Sequence, residues 1–452
     1  MNKIFILLGF TILSNISIAQ QNQKYNFTLE QAIDFALDSN YTAINARRDI
    51  AIAIKKKWET TAGGLPQIDA NISYQNNLKQ PTTLLPGEIA GGEAGSFVPI
   101  IFGTKQNATL GATLTQLIFD GSYLVGLQAA KTFLDYAENA EEKTQLEVRR
   151  GVINAYGSVL LSKELVEIFE LNKANLEKNI FETRAFYENG FTEEESVEQL
   201  EITLINLETQ LKNSERTLII AKQMFNLALG INVESEVVLL DNLASLTQQN
   251  ISLEFLEENI KIENNIDYKI ANNFTEQQVL KLKLEKSYSI PNLIAFVNYG
   301  TQANSENFNF LNNDQTWYQS SIVGISMNIP ILSSGIRNAK TQQARIALEQ
   351  SETNLTEAYQ KVLLEINTAK NNYRFAIEIY NNNKKNLDLS KRVERKNEIK
   401  FLEGLATSFD LRSAQIQLYT AQQNYFEAML RVITTKADLE TVLNTPQLKA
   451  TN

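Results

Sequence analysis

The 452-residue chain carries 42 Lys+Arg against 52 Asp+Glu, no His and no Cys, giving a formal charge of −10. The acidic balance, with no large basic block, argues against nucleic acid as a partner. The missing His and Cys remove the commonest general base, transition-metal ligand and thiol nucleophile, and they exclude disulfides and a lipid-anchored N-terminal Cys. No paired-acid motif, phosphate-cradling glycine loop or nucleophile elbow is present, so no catalytic residue, metal or cofactor is expected and the chain reads as a non-enzyme.

Residues 1–19 combine Lys3, an apolar run from Ile4 to Leu13, and small residues at Ser17 and Ala19, which is the pattern of a secretory signal peptide. That run is too short to span a bilayer core of about 30 Å, and no later stretch reaches the roughly 18 uncharged apolar residues a spanning helix needs. Membrane attachment of the exported chain, 20–452, must therefore come from its fold.

Two alternating segments follow a first helix, at about 66–76 and 107–119. One face of the pair carries Ile68, Ala70, Ile72, Tyr74, Leu110, Ala112 and Leu114, the other Asp69, Asn71, Ser73, Thr109, Thr113 and Thr115. Segments at about 291–301 and 316–330 repeat the pattern with Leu293, Ala295, Val297, Tyr299, Val323, Ile325, Met327 and Ile329. Segments of about ten residues with one apolar face suit tilted strands crossing a bilayer. Four strands leave two open edges that hydrocarbon does not tolerate, so other copies would have to complete a barrel. The Pro- and Gly-rich loop from Asn76 to Asn107 and the Asn-rich Gln302 to Gln315 read as exposed caps, with Tyr74, Tyr299, Trp317 and Tyr318 near strand ends where interfacial aromatics lie; the alternative is that they are core aromatics of a soluble sheet.

Helices of about 122–189 and 336–403 contain no proline, and at 1.5 Å per residue each would be roughly 100 Å long. Each ends at a glycine turn, Gly190 or Gly404, suited to a left-handed C′ position, with Thr192 or Thr407 placed to cap the next helix. The next helix carries a heptad stripe through Val197, Leu200, Leu204, Leu207, Leu211, Ser214, Leu218, Ala221 and Phe225. Such a stripe is a coiled-coil seam. The whole arrangement is duplicated: Gly121 to Gly230 matches Gly335 to Asn444 at a constant offset of 214, and 65–74 matches 290–299 at 225. Repeat one thus covers about 28–230 and repeat two about 252–444.

The order helix, strand, strand, long helix, helix, given twice, resembles the TolC-type outer-membrane efflux protein family across nearly the whole exported chain. The residues that carry the resemblance are Leu29-Glu-Gln-Ala32, Leu65-Pro66, Ile290-Pro291, Phe119-Asp-Gly121, Ile329-Pro-Ile-Leu332 and the turns at Gly190 and Gly404. The resemblance implies a mixed α and β membrane protein: a homotrimer whose twelve-stranded β-barrel lies in outer-membrane lipid and continues as a twelve-helix coiled-coil α-barrel across the periplasm. It also implies a passive exit duct of a tripartite efflux or type I secretion system, working with a periplasmic adaptor (membrane fusion) protein and an inner-membrane RND or ABC transporter. By that analogy Gly190, Phe191, Thr192, Gly404, Leu405 and Ala406 are the adaptor-contacting tips. Some family members narrow the entrance with two aspartates, six and nine residues after the second tip glycine. Here these positions hold Asp410 and Ser413, and Phe401 stands where the family has tyrosine, so the resemblance leaves room for a single ring of Asp410 and not for a double one. The alternatives for Asp410 and for the whole chain are an N-terminal aspartate complementing a helix dipole, and a secreted or periplasmic coiled-coil structural protein.

Overall fold

The structure is a computed structural model, and it describes residues 24–252, 256 and 261–444; the expected signal peptide at 1–19 lies outside them. In chain order, β1 (Tyr25–Phe27), α1 (Leu29–Ser39) and α2 (Tyr41–Ala62) precede β2 (Gln67–Asn76), β3 (Thr82–Pro86), β4 (Phe97–Ile101) and β5 (Gln106–Phe119). Then come α3 (Gly121–Glu188), α4 (Glu194–Leu229), β6 (Val237–Leu239), α5 (Leu243–Gln249) and α6 (Ile266–Ser287). The chain closes with β7 (Asn292–Ser305), β8 (Tyr318–Asn328), α7 (Ile336–Leu402) and α8 (Ser408–Leu443). No described helix is long and apolar enough to cross a membrane.

The chain divides into two compact units. One is formed by Ala46–Glu142 and Asn265–Val362, and the other by the described parts of Met1–Asn45, Lys143–Asn264 and Leu363–Asn452. The first holds a four-stranded antiparallel sheet in the order β2, β5, β7, β8. Its register aligns Ile68 with Leu114, Leu114 with Val297 and Val297 with Val323. Directly paired residues share a face, so the apolar sets of all four strands form one continuous surface. That surface is bare: Ile68, Ile72, Val323 and Ile325 are 72–80% exposed. The opposite face presents Asp69, Thr113 and Asn298 in register. Phe296 also lies there, its ring crossing Gly324, where an added Cβ would meet it at 2.6 Å.

Three features of the sheet refine the sequence reading. The loop between β2 and β5 is not a plain cap, because β3 and β4 form an antiparallel hairpin within it, in register from Thr82↔Ile101 to Pro86↔Phe97. Strand β7 runs on to Ser305, which places Tyr299 in mid-ladder opposite Ser321 rather than at a strand end. Tyr74 and Trp317 join a small core: Phe310, Ala108 and Ala303 are buried with Trp317 against them, and Tyr74 meets Phe308 and Phe310 edge-on at 5.5 and 5.8 Å.

In the other unit, the α3/α4 hairpin packs Phe169, Leu176 and Ile180 against Val197, Leu200 and Leu207. The α7/α8 hairpin packs Leu387 against Leu418 and Ala421, with Tyr380 stacked on Tyr425 at 5.7 Å. The heptad stripe is thus the inner face, and the matching buried positions of α8, with Ala414, Ala421 and Ala428 among them, leave room for polar pairs. Asn172 donates to Gln422 at 2.8 Å, and Arg149 meets Glu440 at 2.6 Å with side chains 6% and 3% exposed.

Residues entering each repeat are tied down by a buried tyrosine. Tyr156 donates to the Asp241 carboxylate at 2.8 Å, which also accepts the Leu29 N–H at 2.7 Å. The Tyr373 hydroxyl donates to the Asn250 carbonyl at 2.5 Å and accepts the Ser252 N–H at 3.0 Å. Strand β1 is held in parallel pairing with β6, and α1 is started by a capping box between Thr28 and Gln31, which satisfies N–H groups that a helix start otherwise leaves unpaired.

Candidate functional site

The two hairpin turns are built alike. After α3, the Gly190 N–H donates to the Tyr187 carbonyl at 2.9 Å and the Phe191 N–H to the Phe186 carbonyl at 2.9 Å. After α7, the Gly404 N–H donates to the Phe401 carbonyl at 3.0 Å and the Leu405 N–H to the Lys400 carbonyl at 2.7 Å. Both are Schellman caps, which need a left-handed residue at C′; Gly190 has φ 79° and Gly404 φ 72°. The residue after each glycine is apolar and presented to solvent, Phe191 at 81% and Leu405 at 73% exposure. In such a cap that side chain ordinarily folds back on the helix, so exposure here leaves an apolar group unpartnered at both tips.

The helices leaving the turns start differently. Helix α4 begins after Glu193, which makes no side-chain cap, and Thr192 instead bonds the Ser196 hydroxyl at 3.1 Å; of the two threonines expected to cap, only Thr407 does so. Its hydroxyl accepts the Asp410 N–H at 3.2 Å, while its own N–H and hydroxyl donate to Asp410 Oδ2 at 3.0 and 2.7 Å. These donors, from the Thr407 side chain first and its backbone second, with Lys400 nearby, hold the Asp410 carboxyl below its ordinary value. Asp410 therefore stays ionised and oriented at the start of α8, which also complements the helix dipole.

Phe401 is half-buried, and Ser413, one turn beyond Asp410, is exposed, as is Ala406 in part. The lysines and arginines before the second tip share α7 with Glu394 and Glu398, and burial, then Glu398, pushes the Glu394 carboxyl up. The first hairpin is tied below its tip by ion pairs of Arg184 with Glu201 and of Lys173 with Glu208. Sequence spacing did not reveal these cross-hairpin pairs, since their partners sit 17 and 35 residues apart on different helices. Between α4 and α8 runs a groove of about 400 Å³ lined by Thr203, Asn206, Gln210, Ile416, Tyr419 and Gln423, with no charged side chain.

Known proteins share this architecture. The model of the outer membrane efflux protein family matches residues 281–445. Outer membrane protein TolC of Vibrio cholerae is 22% identical over 337 residues, 74% of this chain and 76% of that protein. The solved structure of CusC, described in terms of folding and transmembrane channel formation, aligns with TM-score 0.73 at 16% identity, over 92% of this chain and 91% of that one. VceC of Vibrio cholerae aligns with TM-score 0.71 at 15% identity, over 92% and 96%. With the duplicated hairpins and the four-stranded sheet, the chain shares the fold of these channels, and its residues 281–445 match the outer membrane efflux protein family.

Proposed function

We propose that the protein is the passive outer-membrane exit duct of a tripartite export system, receiving cargo from an inner-membrane RND or ABC transporter through a periplasmic adaptor. The observation that carries this reading is the sheet: one continuous apolar face, bare in the single chain, between two unpaired edge strands. Moving a fully exposed Ile or Val side chain out of water is worth about 1.5–3 kcal/mol, and unpaired ladder groups in hydrocarbon cost several more each. Lipid on the face and further copies on the edges meet both demands. Three copies supply the twelve strands of the family's barrel, and the α3/α4 and α7/α8 hairpins, four helices a chain, supply a twelve-helix tunnel. A secreted coiled-coil structural protein would share the heptads but gives this sheet no role.

In the same reading the apolar tips at Phe191 and Leu405, set by Gly190 and Gly404 and flanked by Thr192 and Ala406, are where the adaptor docks. The uncharged α4/α8 groove suits a partner helix. Three copies of Asp410, with Ser413 and Phe401 beside them, narrow the entrance. A ring of like charges in a narrow lumen favours cations and draws in a compensating one.

Planar-bilayer recording of the purified full-length protein tests this. The proposal expects discrete cation-selective openings that divalent cations suppress, with suppression relieved in Asp410→Ala. Openings indifferent to Asp410→Ala would leave the duct and remove the gate assignment. A detergent-free soluble protein that never conducts would overturn the duct itself.

A further inference from the structure

Helices α2 and α6 each end a few residues before a strand, at Ala62 before Gln67 and at Ser287 before Asn292. Their final two turns carry Lys55, Lys56 and Lys57, and Lys281, Lys283 and Lys286, all exposed. At 1.5 Å per residue the six lie within about 11 Å of the helix ends. Lys56 is tied to Glu59 at 2.9 Å, and the other five make no ion pair among the described residues. Both clusters flank the start of α3: Tyr123 donates to the Thr61 carbonyl of α2 at 3.1 Å, and Val125 and Gly126 share a groove of about 300 Å³ with Leu280, Lys281 and Leu284 of α6. The clusters therefore sit at one level, just below the sheet.

Exposed aromatics accompany them, Trp58 at 61% and Tyr288 at 48%. The other end of the sheet differs. The connection from β2 to β5 balances Lys79 and Lys105 against Glu88 and Glu93, and that from β7 to β8 has only Glu306 and Asp314. The helix ends set six lysines against Glu59 and Glu285, so in a chain of net charge −10 this rim of the apolar face carries a net positive charge while the other carries none. Lysine with Trp or Tyr at the edge of an apolar band is the chemistry of a headgroup boundary, and anionic lipid is attracted by each lysine near the surface.

We infer that these six lysines, with Trp58 and Tyr288, form a docking surface for anionic phospholipid headgroups of the leaflet facing the helices. The inference rests on the membrane reading above, and the two can fail separately. The chain has two tryptophans, so Trp317→Phe leaves Trp58 as the sole reporter. In detergent-free vesicles of unbrominated phosphatidylcholine, a minor fraction of brominated phosphatidylglycerol or of brominated phosphatidylcholine is added, and quenching of Trp58 gives their relative association. The expected preference is about fivefold for phosphatidylglycerol, which corresponds to about 1 kcal/mol from one lysine. It should disappear when all six lysines become Gln and persist when they become Arg.

Equal quenching by both headgroups, or a preference unchanged in the Gln variant, overturns the docking surface while leaving the protein in the membrane. Loss of the preference to soluble glycerophosphate at matched ionic strength also overturns it, since the site would then take a free anion. No quenching by either brominated lipid overturns the membrane reading and the inference with it.

Discussion

Removing Arg149 should destabilise the protein far more than removing the pair it belongs to. Arg149 on α3 meets Glu440 on α8 at 2.6 Å, both side chains nearly inaccessible. Among the described residues the second carboxylate oxygen has only Lys436, at 3.7 Å and 12% exposed. Taking one partner from a buried pair costs 3–5 kcal/mol because the other charge stays buried, whereas replacing both with apolar groups is often neutral. Lys436 retains part of the compensation, so Arg149→Met is expected near the low end, at about 3 kcal/mol, and Arg149→Met with Glu440→Leu within about 1 kcal/mol of wild type. The assay is guanidinium unfolding of the detergent-solubilised protein, followed by loss of helical circular dichroism. A single variant as stable as wild type, or a double variant as damaged as the single one, would refute the reasoning.

Two further outcomes follow from the hairpins. Glu394 holds its proton more tightly folded than unfolded, because of burial and then Glu398. Its contribution is therefore most favourable at low pH and is lost as pH rises through the folded value. Glu394→Gln should raise the unfolding midpoint at neutral pH, with the gain shrinking as pH falls through the raised folded value and gone below the ordinary glutamate value of 4.5; a gain that does not vary with pH would contradict this. At the tips, Phe191→Ser with Leu405→Ser should weaken adaptor binding at least tenfold, the order of about 1.4 kcal/mol, while single-channel conductance stays unchanged. Unaltered adaptor affinity would remove the tips from the docking surface.

The long helices, the heptad faces and the strand alternation were legible because each is a local periodicity, repeated once along the chain. The left-handed glycines were legible too, since Gly190 and Gly404 end proline-free runs. The β3–β4 hairpin was hidden by composition: Pro86 and Pro99 lie inside strands that also flank the Gly91 to Gly95 stretch, and proline ordinarily argues against a strand. The pairs Tyr156–Asp241 and Arg149–Glu440 join residues 85 and 291 apart, which no local pattern announces. At the candidate entrance, Asp410 was visible as an acid in the first helical turn. Its exchange of hydrogen bonds with Thr407 follows from the Thr-Ser-Phe-Asp spacing, whereas convergence of several copies is a property of an assembly and leaves no mark on one chain.

The central claim is that further copies complete the sheet through its two edges, and cysteine cross-linking tests it most directly, because the chain contains no cysteine of its own. Within one chain β2 and β8 are separated by β5 and β7, three strand spacings of about 4.8 Å each. A disulfide needs Cα atoms within about 7 Å, so it cannot bridge them. Cysteines at Asn71 or Ser73 on β2, combined with Ser320 or Ile322 on β8, should on oxidation in native membranes give covalent species of two and three chains and nothing larger. Absence of any cross-link across the full set of pairs, or a ladder that continues past three chains, would contradict the account.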